Sequence, residues 1–166
     1  MNLNKSQKAM STLKDVAFVQ SLDQRKKVSK VDRALTHDHI IRFYLSFYQE
    51  LEKHGIPFYG FYFHRSHALQ DKLYAKGRSK AKGGQSPHNY GLAVDMVHST
   101  RYWDLSRDEW AMIGTIGKEV ARRLNIKVTW GGDWQFYDPA HWQLSNWKEL
   151  VENNDYPKPM PVGEFA

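Results

Sequence analysis

Ile40, Tyr44, Phe47, Tyr48 and Leu51 recur at the spacing of one helix face. Thr36 can cap this helix, and Asp38 stands in its first turn, where a helix N-terminus favours negative charge. Lys53, His54 and Gly55 close it, with Pro57 just beyond. Residues 58–63 are short, aromatic and bounded by Pro57 and by His64-Arg65-Ser66, which predicts a strand. Ser66 can cap a second helix carrying Leu69, Leu73 and Tyr74 and ending at Gly77. A glycine- and lysine-rich loop then runs over residues 78–90, and a strand over Leu92 to Val97. Ser106 with Glu109 forms a capping-box pattern for a third helix, with Trp110, Ile113, Val120 and Leu124 on its buried stripe. Strands over Ile126 to Trp130 and Ala140 to Leu144 flank a Gly131-Gly132 turn, and a short helix spans Asn146 to about Asn153. Helices and short strands in this irregular order predict an α+β domain with an antiparallel sheet.

The weakly patterned start, residues 1–30, ends in Arg25-Lys26-Lys27 and reads as an N-terminal arm or a short surface helix. Residues 31–154 form the expected catalytic domain, and 155–166 a proline-rich tail. A length of 166 residues suits one core. No stretch approaches the roughly 20 apolar residues that cross a bilayer. No apolar run follows Lys5, so no secretory signal is visible. The expectation is a protein made in the cytoplasm, for which any work outside needs a separate exit route. There are no cysteines, which excludes disulfides, thiolate metal sites and cysteine nucleophiles, and leaves eight histidines for any metal. The net charge of +6 favours polyanionic partners, with Lys72, Lys76, Arg78, Lys80 and Lys82 as its densest cluster.

Two segments carry candidate chemistry. In Ser86-Pro87-His88-Asn89-Tyr90-Gly91-Leu92-Ala93-Val94-Asp95, His88 lies in a loop and Asp95 inside the following strand, with Gly91 allowing a sharp turn between them. A carboxylate between small and apolar neighbours is partly buried and needs a partner. Further on, His141 and Gln143 share one face of a strand while Trp142 takes the other, and Asp138 precedes Pro139 in a turn. Two histidines and a carboxylate are a ligand set typical of catalytic zinc, which keeps a fourth position for water and lowers that water's pKa to about 7. A second carboxylate, Asp138, can take the proton if its own pKa is raised. From residue types alone the bland reading stays open: Asp95 capping a turn or paired with a lysine, His88 a loop histidine, His141 a satisfied core histidine, Asp138-Pro139 just a turn.

Ser86-x-His88-x-x-Gly91-x-Ala93-x-Asp95 and Asp138-x-x-His141 resemble the two zinc motifs of the D-alanyl-D-alanine carboxypeptidase and L-alanyl-D-glutamate peptidase family (VanY-like). Gly84-Gln85 and Trp130-Gly131-Gly132-Asp133-Trp134 extend the likeness toward its L-alanyl-D-glutamate branch, which includes phage endolysins and wall-remodelling enzymes. A third match lies in Arg65-Ser66, Gln70, Leu73-Tyr74 and Gly77-Arg78, so the resemblance covers about residues 31–147. Tyr62-Phe63-His64 stands where relatives carry Ser-Gly-Tyr, and the loop from Ser79 to Gly83 is shorter than theirs.

The resemblance implies a Hedgehog/DD-peptidase-like zinc peptidase fold, with a small antiparallel sheet flanked by helices. It implies His88, Asp95 and His141 as zinc ligands, Asp138 as general base and Arg65 on the scissile carbonyl or its oxyanion. Arg65, Ser86 and Gln70 become the expected substrate-binding residues. The implied substrate is a peptidoglycan stem peptide, cut between L-Ala and D-Glu, or at D-Ala-D-Ala by a carboxypeptidase. No specific nucleic acid and no second copy is expected as partner. A basic nucleic-acid-binding protein and a non-catalytic wall-binding module are the readings from other classes. The first leaves the His-Asp-Asp-His set unexplained, and the second has no use for Asp138 and Arg65. His64, His67 and His98 stand near enough to the motifs to line the groove, and Asp133 to support a ligand.

Overall fold

The computed structural model describes residues 3–159. Its centre is a four-stranded antiparallel sheet in the order β1-β2-β4-β3, built from β1 (Phe58–Tyr62), β2 (Ala93–His98), β3 (Val128–Trp130) and β4 (His141–Leu144). The two central strands meet with Ala93 opposite Gln143, Val94 opposite Trp142 and Asp95 opposite His141. Paired residues point to the same side of a sheet, so this register divides the labour between two faces. Val94, Met96, Trp142 and Leu144 enter the core on one face. Asp95, His141 and Gln143 look out from the other.

Helices α4 (Asp38–Lys53) and α6 (Arg107–Leu124) cover the core face. The α4 stripe buries Ile40, Phe43, Tyr44, Phe47 and Leu51, with Tyr48 half-buried at its edge. Its cap is His37, not Thr36: the His37 ring accepts from the His39 backbone N–H at 3.1 Å. Ser106 and Glu109 make the capping box of α6, as their spacing predicts. Trp142 packs between Phe43 and Phe47, with ring centroids 5.3 and 5.2 Å away, and stacks on Trp130 at 5.7 Å.

The N-terminal segment departs from the expected arm or single short helix. It forms three helices, α1 (Lys5–Leu13), α2 (Val16–Val19) and α3 (Leu22–Ser29). Each starts at a side-chain cap, from Asn4, Asp15 and Ser21. Leu13 is fully buried in the common core, and Gln24 donates to the Phe58 carbonyl at 2.9 Å. One or two buried residues dock each helix, Ala9 and Leu13 in α1, Val19 in α2 and the polar Gln24 in α3, and this leaves little periodicity to read.

Helix α5 (His67–Ala75) forms after its Ser66 cap, but its buried residue is Gln70, with Leu69 and Leu73 only half-buried and Tyr74 exposed. Helix α7 (Trp147–Glu152) closes the described chain, and the far end of the proline-rich tail, residues 160–166, lies outside the described residues. Among the described residues, no helix is long and apolar enough to cross a membrane.

Candidate metal centre

His88 sits on a single 3-10 turn, Pro87–Tyr90, held by reciprocal Ser86–Asn89 capping and started by Pro87. Gly91 ends the turn at φ +67°, and a Cβ there would lie 1.8 Å from the Leu35 carbonyl oxygen, so both the backbone angle and the packing demand glycine. The chain then enters β2 and reaches Asp95, directly opposite His141 at the start of β4. The turn before His141 is pinned twice. Trp130 Nε1 donates to the Pro139 carbonyl at 2.7 Å, and the Asp138 N–H donates to the Gly131 carbonyl at 3.0 Å. A Cβ on Gly131 would lie 2.2 Å from the Asp138 carbonyl oxygen, which is why the Trp-Gly-Gly run packs where it does.

His88, Asp95 and His141 each offer a ligand atom, all within 4.8 Å of one another and all from buried residues. His88 Nε2 lies 3.1 Å from Asp95 Oδ1 and 3.1 Å from His141 Nδ1, which is 3.2 Å from the same Asp95 oxygen. The outer ring nitrogens fix the tautomers. His88 Nδ1 is 2.7 Å from the Phe63 carbonyl and His141 Nε2 is 2.9 Å from Gln143 Oε1. The Phe63 carbonyl only accepts and Gln143 presents its amide oxygen, so in this arrangement the protons sit on the outside and two nitrogen lone pairs turn inward toward a carboxylate oxygen. Three acceptors facing one another repel unless a cation sits among them. The donor set therefore fits a metal ion of the kind that takes two imidazoles and a carboxylate.

The surroundings tune the charges. Burial pushes His88 down to about 4, which keeps it neutral. Burial also acts to raise Asp95, but its contacts with the two histidines and the Arg65 guanidinium outweigh it and hold the carboxyl well below its usual range. His141 is raised: burial opposes its charge, yet the neighbouring Asp95 and Asp138 carboxylates prevail. Asp138 is raised by its burial and by the Asp95 charge.

The centre lies in a cleft of about 760 Å³ lined by Arg65, Asp138, Ser86 and a set of aromatic side chains. Arg65 pairs with Asp95 Oδ2, leaving Oδ1 to the histidines, and its guanidinium lies 4.6 Å from the centre of the Tyr62 ring. A bulge in β1 between Gly60 and Tyr62 sets Tyr62 opposite Asp95 and turns both Phe61 and Tyr62 toward the cleft. Ser86 reaches the cleft wall, but its hydroxyl accepts from the His88 N–H at 3.3 Å and so holds the turn.

Gln70, expected to touch substrate, is fully buried behind the wall. Its amide donates to Ser79 Oγ and to the Ala81 carbonyl, both at 2.8 Å, and its oxygen faces Arg65 at 3.4 Å.

His64, His67 and His98 are absent from the lining, and His98 instead faces the Leu13 carbonyl at 3.2 Å. Asp133 pairs with Lys118 on the surface at 2.6 Å rather than supporting a ligand. Trp103, Trp134 and Trp147 line the cleft, whereas Trp110 belongs to the core. Gln143 and the Phe63 carbonyl, which orient the two histidines, were not singled out from sequence. The position of Gln143 two residues after His141 was the available signal for the first; a backbone carbonyl has none.

Residues 79–144 match the family model described as D-alanyl-D-alanine carboxypeptidase, a span holding all three candidate ligands and Asp138. The peptidoglycan L-alanyl-D-glutamate endopeptidase CwlK of Bacillus subtilis (strain 168) is 35% identical over 99 residues, covering 48% of this chain and 56% of CwlK. The chain thus matches little more than half the length of that curated relative. The crystal structure of the Serratia marcescens L-Ala D-Glu endopeptidase ChiX superposes with a TM-score of 0.56 at 25% identity, covering 77% of this chain and 90% of ChiX. The likeness to the D-alanyl-D-alanine carboxypeptidase and L-alanyl-D-glutamate peptidase family, carried in the sequence by three short motifs, thus extends to a family model over the metal half and to the fold over most of the chain.

Proposed function

We propose that this chain is a zinc peptidase that hydrolyses peptidoglycan stem peptides, at the bond between L-Ala and D-Glu. The observation that carries the reading is the convergence of two inward-turned imidazole lone pairs and one carboxylate oxygen in an open cleft, beside a second carboxylate and an arginine. Zinc bound by His88, Asp95 and His141 would polarise the scissile carbonyl and lower the pKa of a water to about 7.

The chain's own groups supply the rest. Asp138, raised by burial and by the Asp95 charge, is suited to take the attacking water's proton and return it to the leaving amine. Arg65 holds a fixed cation beside the ligand set, where negative charge develops on the carbonyl oxygen. The Trp134 ring, 5.2 Å from that of His141, narrows the water access to the site.

The bond assignment rests on the likeness to CwlK and ChiX, both L-alanyl-D-glutamate endopeptidases. The description of the matching family model favours a second reading, D-alanyl-D-alanine carboxypeptidase. The net charge of +6 supports action on an anionic envelope, as an endolysin or wall hydrolase. Digestion of purified peptidoglycan with and without zinc, followed by mass analysis of new termini, tests the proposal. New D-Glu N-termini are expected, lost on chelation and in His141→Ala. Release of terminal D-Ala alone would establish the carboxypeptidase, and full activity in His141→Ala would refute the site.

A further inference from the structure

Of the acidic side chains in the cleft lining, Asp95 is engaged by Arg65 and the histidines, and Asp138 is the candidate base. The same lining carries two more cations, Arg78 and Lys80. Neither has a carboxylate partner among the described residues. Most surface lysines and arginines hang on mobile loops, but these two are anchored at the backbone. The end of α5 closes with the Gly77 N–H on the Tyr74 carbonyl at 2.9 Å and the Arg78 N–H on the Leu73 carbonyl at 2.8 Å, with Gly77 at φ +67°. Lys80 lies between Ser79 and Ala81, the two residues held by the buried Gln70 amide. Its ammonium sits 5.3 Å from the centre of the Phe136 ring on the facing loop. The protein thus uses a buried glutamine and a helix end to present two unpaired cations to the reaction cleft.

We propose that Arg78 and Lys80 form a carboxylate subsite that selects substrates bearing a free anion beside the scissile bond. The inference rests on the proposed peptidase activity and deepens it. A D-Glu residue has two carboxyl groups and the peptide chain uses one, so the other remains as an anion next to the cut. Arg78 gives a planar fork for such a group, and Lys80 a point charge. Gln70 is then a positioning residue: it sets where these cations stand without touching the substrate.

The test compares two synthetic stem peptides, identical except that the free carboxylate of D-Glu is an acid in one and a primary amide in the other. The zinc-loaded full chain should favour the acid by about tenfold in kcat/KM. Arg78→Gln and Lys80→Gln should each reduce that preference by about threefold, and together abolish it. Arg78→Glu should reverse it. Calorimetric affinities for the two peptides, measured on the same proteins, should show the same ratios. Equal rates on acid and amide with wild type, or a preference that survives the double substitution, would overturn the subsite. Hydrolysis of neither peptide would count against the peptidase reading, and the affinity ratio would still decide the subsite.

Discussion

Gln143→Met removes the acceptor that fixes the His141 tautomer while keeping the side-chain length. The Gln143 oxygen accepts from His141 Nε2–H at 2.9 Å, and this bond commits the Nδ1 lone pair to the metal set. A neutral hydrogen bond of this kind contributes about 1 kcal/mol net. Gln143 is only half-buried, so water can replace part of what is lost. The expected cost is therefore about 0.5 to 1 kcal/mol of metal binding, or about two- to fivefold in Kd, below the tenfold or more that fully buried second-layer partners of metal ligands give. Gln143→Glu changes the sign of the effect, because a carboxylate makes the imidazole a better ligand, and zinc should bind at least as tightly as in wild type. Competition against a chromophoric chelator gives both constants, with circular dichroism as the folding control. Unchanged zinc affinity in Gln143→Met would refute the tautomer argument.

Gly91→Ala faces both a left-handed backbone angle and the Leu35 carbonyl at 1.8 Å, so it should lose more than about 2 kcal/mol in chemical denaturation and displace His88. Glu109 is buried, a tendency that raises its carboxyl, but hydrogen bonds from Arg101 and the Ser106 backbone bring it down to about 2. Its folded pKa lies below its unfolded one, so its contribution is complete above about 4.5 and is lost as the pH falls toward about 2. Thermal melts of wild type should therefore fall more steeply than those of Glu109→Gln across that window, and parallel curves would contradict the pairing. Zinc at 100 times its Kd should stabilise the chain by about 2.7 kcal/mol, read as a rise in Tm that a chelator reverses and His141→Ala lacks.

The two large amphipathic helices were legible from their period, with Ser106 and Glu109 marking the start of α6, and the strands as short apolar or aromatic runs bounded by turn residues. The candidate set His88, Asp95 and His141, which the fold brings together, stands out because its motifs compress a turn, a forced glycine and a strand into a few residues. What escaped depends on distance along the chain. Leu13 enters the core from a nine-residue helix, too short for its pattern to stand out. Gln70 is expected at the cleft because it belongs to a motif the family shares, yet it points inward to hold residues 79 and 81, nine and eleven positions away. The β1 bulge, which brings Phe61 and Tyr62 to the cleft together, is marked only by Gly60, the one glycine in an otherwise aromatic run.

The register that sets Asp95 against His141 would also give a bound ion a mechanical role. A metal joining His88 to His141 would close a loop of 53 residues between the turn before β2 and the start of β4. In a chain without cysteine, it would be the cross-link that a disulfide is elsewhere. By the loop-closure relation used for disulfides, a permanent link of that span would remove about 4 kcal/mol of freedom from the unfolded chain. This link is reversible and answers to free metal concentration. Scarcity of the ion would then silence the site and loosen the middle of the sheet together, leaving the idle protein the more open to proteolysis.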